Sequence, residues 1–233
     1  MIAGGPSLRA VPFQRAGPEP IELLSDAQRE ELARHAAVRC LPPRTVVYRA
    51  GATAASVFIV GEGVVKSFRE LPSGRRRITA FLFARDIFGL AEAGRYVNWV
   101  QTITPVRLYE LDADTLTELL KRDADLEFQF LCKTVHILRE AQHHNIIVGR
   151  RDAAGRVAML LALLLRQSGR TDGPLAVAIP MTRTDIANYL GLSLEAVVRA
   201  TRRLERQGIV EFVDRHHARI IDRRRFEALA SNV

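Results

Sequence analysis

Glu195 and Arg199 stand four apart near the C-terminal end of the chain, with Arg202, Arg203 and Arg206 close behind. Positions four apart on a helix are surface neighbours, so a carboxylate and a guanidinium would share one outward patch. In a major groove such a patch has a use: arginine sends two parallel donors to a guanine edge, and a carboxylate accepts from a cytosine amino group. The bland alternative is a solvated ion pair on an ordinary helix. The surrounding residues 182–206, TRTDIANYLGLSLEAVVRATRRLER, favour the reading use, because they are punctuated as two helices meeting at a tight turn. Thr182 followed by Asp185 is a helix start, Ile186, Ala187 and Leu190 supply an apolar face, Gly191 can take the left-handed backbone that closes a helix, and Ser193 caps a second one. A three-residue turn throws that second helix steeply across the first, so Val197, Ala200, Thr201 and Leu204 pack inward. Leu194, Glu195, Val198 and Arg199 on the outward side are the expected base-reading residues. Thr182, Arg183, Ser193, Arg202 and Arg203 are the expected phosphate contacts, with packing as the other role open to Arg203.

The elements that must hold this device can be read on both sides of it. Downstream, residues 208–213 and 218–221 have the pattern of a hairpin around 214–217, which puts His216 and His217 at the tip of a wing, near phosphates if DNA binds, with a plain polar turn role as the alternative. Upstream come a helix over 153–166, a loop over 169–174 and a short strand, LAVAI, so residues 150–233 form a winged helix-turn-helix. An unbroken helical pattern is expected over 113–149. Within it Leu131, Thr134, Leu138, Ala141, Asn145 and Val148 advance by alternating steps of three and four, a heptad seam, while Leu126, Phe130 and Ile137 make a neighbouring stripe. Two stripes imply two partners: the chain's own β domain, and the same helix of a second copy through Leu131, Leu138, Ala141, Asn145 and Val148, with Asn145 fixing register. A helix buried wholly within its own domain is the alternative.

Residues 21–112 begin with a helix over 21–37, capped by Ser25 or Asp26 and apolar along Leu23, Leu24 and Leu32. Short β-branched and aromatic runs follow at 46–48, 56–60, 64–68, 77–83 and 106–111, separated by glycines and a Pro72-Ser73-Gly74 turn. Such spacing fits an antiparallel β-sandwich or jelly roll. Residues 1–20, with four prolines and little periodicity, are expected as a flexible tail. The fold class is therefore α+β: a sandwich, a long dimerisation helix and a winged reading head.

Composition narrows the function classes. Thirty-four Lys and Arg against 26 Asp and Glu give a net charge of +8 over 233 residues, with arginines clustered at 75–77, 202–206 and 223–225, which suits a polyanionic partner. Two cysteines far apart, Cys40 and Cys132, argue against a disulfide scaffold; with no membrane-length apolar run and no secretion-like start, the expected location is the cytoplasm. Cys132 is a candidate redox input if exposed, and a packing residue if buried. The chain has no Gly-x-Ser-x-Gly elbow and no phosphate loop. His136, Glu140 and His144 recur every four residues, which could hold a metal but fits a solvated face better, so no metal site is assigned. A cupin-like metalloenzyme is disfavoured because residues 45–111 contain no histidine.

The stretch MTRTDIANYLGLSLEAVVRATRRLERQGIV resembles the DNA-binding motif of the Crp/Fnr family of bacterial transcription regulators, in which a Glu-x-x-Ser-Arg pattern reads a TTGA half-site. Glu195 and Arg199 match its first and last positions. Val198 replaces the hydroxyl residue and offers an apolar surface for a thymine methyl. The resemblance implies double-stranded DNA, a second copy of the chain and RNA polymerase as partners, and an effector domain of cyclic-nucleotide-binding type. In nucleotide-binding relatives a glutamate follows the Phe-Gly pair, and an Arg with Ser or Thr holds the phosphate. Here Leu90 follows Phe88-Gly89, and Val97-Asn98-Trp99-Val100 stands near the expected arginine, leaving Arg95 as the one substitute. The oxygen-sensing branch needs four cysteines for an iron-sulfur cluster, and this chain has two. The pattern is most similar to the FixK-type branch, which implies an activator without cofactor; a ligand-gated member with an unusual effector is the alternative.

Overall fold

A computed structural model of the chain describes residues 26–91, 93–150, 152–167 and 175–231. α1 (Asp26–Arg34) leads into β1 (Ala37–Leu41), β2 (Val46–Tyr48), β3 (Ser56–Glu62), β4 (Val65–Glu70), β5 (Arg76–Leu82), β6 (Ile87–Phe88), β7 (Trp99–Thr102) and β8 (Val106–Asp112). These strands form two antiparallel sheets, ordered β1-β8-β3-β6 and β2-β7-β4-β5. Alternation along β3 shows why: Phe58 and Val60 fill the space between the sheets, while Val57 and Ile59 turn out onto the helices. β1, β6 and β7 are additional to the five expected strands. The expected helix over 21–37 is shorter, because Ala37 already pairs with Glu110 at the sheet edge. Leu32 is buried as expected; Leu23, Leu24, Ser25 and the tail lie outside the described residues.

The expected single helix over 113–149 is two helices, α2 (Ala113–Arg122) and α3 (Ala124–Gly149). Asp123 breaks the run in an extended conformation, and its carboxylate accepts from the Leu126 N–H at 3.0 Å, capping α3 as Asp112 caps α2. The break lets Leu116 of α2 and Leu126 and Phe130 of α3 cover the same outer sandwich face. One straight helix would carry one of those groups away.

The second half contains α4 (Ala153–Gln167), β9 (Ala176–Ala178), α5 (Arg183–Leu190), α6 (Leu194–Arg206), β10 (Val210–Phe212), β11 (His217–Ile220) and α7 (Arg223–Ser231). α4 is apolar around most of its circumference because it is the core of the head: Val157, Ala158, Leu160, Leu161 and Leu164 are all buried. α7 is not foreseen from the sequence; Asp222 starts it by accepting from the Arg225 N–H at 2.9 Å, and Phe226 anchors it in the core. Phe68, Ile78 and Phe81 of the sandwich share this core with α4, α5 and α6, so the two halves are packed together. The loop over 169–174 lies outside the described residues.

Candidate nucleic-acid interface

The local chemistry of residues 182–206 builds the helix pair. Thr182 and Asp185 form a reciprocal capping box: the Thr182 hydroxyl accepts from the Asp185 N–H at 3.1 Å, and the Asp185 carboxylate accepts from the Thr182 N–H at 3.3 Å. Gly191 closes α5 at φ 65°, a left-handed conformation that glycine adopts without strain. Ser193 then caps α6 by accepting from the Ala196 N–H at 3.2 Å. Val197, Ala200, Thr201 and Leu204 are buried, as the spacing requires.

The outward face is open. Leu194, Glu195, Arg199 and Arg202 are exposed and Val198 is half-buried between them. The Glu195 carboxyl lies below the usual carboxylate range because its own backbone N–H and the Ser193 hydroxyl donate to it, with Arg199 adding a longer-range attraction. Among the described residues neither the Arg199 nor the Arg202 guanidinium has a hydrogen-bond acceptor, so both are free to meet one. Other expected contacts are more committed. Arg203 holds Asp152 at 3.3 Å, which favours its packing role. Arg183 is half-buried over the Phe212 ring at 4.9 Å, with its pKa lowered by burial. His217 faces Asp214 at 2.9 Å, and that contact is the main cause holding the Asp214 carboxyl low. The wing is tied to the head through His216, whose Nδ1 donates to the Ile179 carbonyl at 3.2 Å.

On α3 the expected seam is apolar surface without cover in a single chain. Leu131 is 57% exposed and Leu138 58%. Ala141 and Asn145 are exposed too and Val148 is half-buried, while Phe128, Val135 and Ile146 extend the stripe. Ile137, expected against the sandwich with Leu126 and Phe130, is instead exposed beside the seam. Cys132 is buried, and burial pushes its thiol pKa up, away from the reactive thiolate; exposure, which a redox input needs, falls to Cys40 instead. His136, Glu140 and His144 do not converge, and no group of three metal-type ligands exists among the described residues.

Inside the sandwich, Tyr48, Phe58, Phe88 and Tyr96 form an aromatic cluster, with Tyr48 stacked on Tyr96 at 3.7 Å between centroids and Phe58 on Phe88. The Tyr96 hydroxyl donates to the Ser56 carbonyl at 2.8 Å. Leu90 is exposed, and Arg95 donates to the Gly51 carbonyl at 2.7 Å from the surface. Sequence reasoning missed the residues that seat the head: Lys66, Phe81, His144 and Arg156, whose guanidinium donates to the Leu190 carbonyl at 2.8 Å. Only Asp185 and Tyr189, at helical spacing, hint at a partner on their shared face.

Residues 38–123 match the model of the cyclic nucleotide-binding domain, and residues 155–229 that of the Crp-like helix-turn-helix domain. The chain is similar to the transcriptional activatory protein AadR of Rhodopseudomonas palustris, 30% identical over 209 residues that cover 89% of this chain and 87% of that protein. It is also similar to the nitrogen fixation regulation protein FixK of Azorhizobium caulinodans, 32% identical over 180 residues covering 76% and 73%. The solved structure of FixK2 from Bradyrhizobium japonicum superposes with a TM-score of 0.78 at 29% identity, covering 85% of this chain and 98% of that one. With both of its domains matched and its relatives aligned along most of their length, the chain belongs to the Crp/Fnr family of DNA-binding transcription regulators.

Proposed function

We propose that this regulator is an activator which reads a TTGA-type palindrome as a homodimer and needs neither a cyclic nucleotide nor an iron-sulfur cluster. The observation that carries the reading is the open face of α6, where Glu195 and Arg199 stand on the first two turns and the nearest cations, Arg199 and Arg202, have no acceptor of their own among the described residues. Arg199 reads a guanine edge, Glu195 a cytosine amino group and Val198 a thymine methyl. Thr182, Ser193 and Arg202 contact phosphate, with Arg183 and His217 beside them once turned from Phe212 and Asp214.

The exposed seam on α3 supports the dimer, since an apolar stripe of that length is covered at little cost by its symmetric copy. The aromatic cluster between the sheets and Leu90 at the position after Phe88-Gly89 support the effectorless state, because among the described residues an anionic ligand would meet no buried cation beside that cluster. The name of AadR, a transcriptional activatory protein, supports activation, and thereby contact with RNA polymerase in the cytoplasm; among the described residues no helix is long and apolar enough to cross a membrane.

Selection of bound duplexes from a random pool, followed by sedimentation of the complex, tests this reading. The pool should converge on two TTGA-like half-sites with centres about one helical turn, roughly 34 Å, apart, and two chains should bind each duplex. A pool without two-fold symmetry, or one chain per site, overturns it. Cyclic AMP should leave the melting temperature unchanged, and an upward shift would replace the effectorless reading with a ligand-gated one.

A further inference from the structure

The first helix of the reading head meets the sandwich at two points whose spacings match. Across β4 and β5, Lys66 pairs with Phe81 and Phe68 with Ile78, and Thr79 is the extra residue of a bulge. The bulge keeps Ile78 on the face that carries Phe81 although they stand three apart, so one patch of sheet turns toward the head. On α5, Asp185 and Tyr189 are four apart and share a face. The two pairs dock side by side: Lys66 Nζ donates to Asp185 Oδ1 at 2.6 Å, and the Phe81 and Tyr189 ring centroids lie 4.8 Å apart.

The two contacts differ in kind. An aromatic contact resists separation but tolerates sliding, whereas a charge-assisted hydrogen bond fixes a direction. The side chains of Lys66 and Asp185 are 16% and 11% exposed, so water screens the pair weakly and losing one partner strands the other charge. The second oxygen of Asp185 accepts from the Thr182 hydroxyl at 2.8 Å, which makes the carboxylate both the helix cap and the tie to the sandwich. From the other side His144 of α3 stacks on Tyr189 at 4.1 Å and its Nε2 donates to the Tyr189 carbonyl at 2.8 Å. α5 is therefore held between sheet and helix, while the outward face of α6 stays open.

We infer that Lys66 is a positioning residue for DNA reading: its ion pair with Asp185 fixes the angle at which the sandwich presents α6. In the homodimer this angle sets the separation of the two reading helices, a step that rests on the function proposed above. Half-site spacing is then specified partly in the sandwich, far from any base.

The test compares the full-length wild type with Lys66→Met, which keeps the side-chain length, and Lys66→Arg, which keeps the charge. Nitroxides on Cys40 of the sandwich and on a cysteine introduced at Glu227 of α7 report the distance between the halves, with unlabelled chain in excess so that each dimer carries one labelled copy. Wild type and Lys66→Arg should give one narrow distribution and Lys66→Met a broad one. On operators lengthened or shortened by one base pair, Lys66→Met should lose its preference for the natural spacing by about tenfold, equivalent to about 1.4 kcal/mol. Its base discrimination on an isolated half-site should not change. A Lys66→Met distribution as narrow as wild type overturns the seat, and so does a broad one that leaves spacing preference intact. Equal losses on half-site and full operator mean a damaged head and likewise overturn it. If wild type itself ignores spacing, the two-fold operator reading fails, and the distance distributions still decide the seat.

Discussion

α5 and α6 are adjacent in sequence, similar in polar content and opposite in how they use it. On α5 the ionisable groups are committed within the molecule: Asp185 to Lys66 and Thr182, and Arg183 to the face of Phe212. On α6 the groups of the outward face are held only by their own helix or by nothing among the described residues. The difference teaches how a small motif divides its labour. Rigid placement needs buried polar groups with every partner present, while recognition of an external partner needs polar groups that have none.

Substitutions on the two helices should therefore separate stability from binding. The largest effect is expected from Asp185→Ala, which removes a cap acceptor and strands Lys66 in a half-dry interface; about 3–5 kcal/mol of stability should disappear in urea unfolding. Glu195→Ala, its counterpart on the open face of α6, should leave the urea midpoint almost unchanged. Similar losses for the two would break the comparison.

α3 carries the same contrast on its two sides, buried against the sandwich at Leu126 and Phe130 and bare at Leu131 and Leu138. Leu138→Glu should leave the fold intact, give a monomer in sedimentation and weaken operator binding by at least about tenfold, because each half-site is then held alone. A variant that remains a dimer with normal affinity removes the seam from the interface.

The arginines of α6 sharpen the comparison further. Arg202 has no internal acceptor among the described residues and Arg203 has Asp152. Arg202→Ala should weaken binding to all sequences alike and lower the salt slope by about one unit, whereas Arg203→Ala should leave the slope unchanged and cost at most about 1 kcal/mol of stability.

The smallest effect concerns pH. Burial against Tyr189, with Arg77 and His143 nearby, lowers the pKa of His144 below its ordinary 6.5, although the hydrogen bond to the Tyr189 carbonyl opposes the shift. The folded chain thus prefers neutral His144, so its contribution is complete above pH 6.5 and is lost as pH falls through the depressed value. Melting temperatures should drop as the pH falls from 6.5 to the depressed value. His144→Gln should flatten the drop without abolishing it, because burial lowers the His136 pKa in the same direction.

How much of this was legible from the sequence depended on the range of the interaction. Caps, turns and the inward face of α6 are set by residues within four of one another, and Thr182, Gly191 and Ser193 announced them. Five strands were visible because β-branched residues alternate there. β1, reading Ala-Val-Arg-Cys-Leu, meets the expected helix only at Ala37 and is set by its pairing with β8 rather than by a strong local pattern, and β6 is only two residues long. The break at Asp123 was masked because an aspartate on a polar helix face and an aspartate cap look alike. The start of α7 reads as a simple arginine cluster, although Asp222, Phe226 and Leu229 have the spacing of a capped helix. The Lys66–Asp185 tie joins residues 119 apart, and no local pattern could show it.

Sequence reading by α6 is the centre of this account, and Arg199→Ala measured on an operator duplex and on a scrambled duplex of equal length tests it most directly. The expected result is a loss of about 1–3 kcal/mol per half-site on the operator, flattened discrimination at one base pair, and little change on scrambled DNA. An equal loss of affinity on both duplexes would mean that the Glu195 and Arg199 face is only an electrostatic surface, and would contradict its assignment as the reading face.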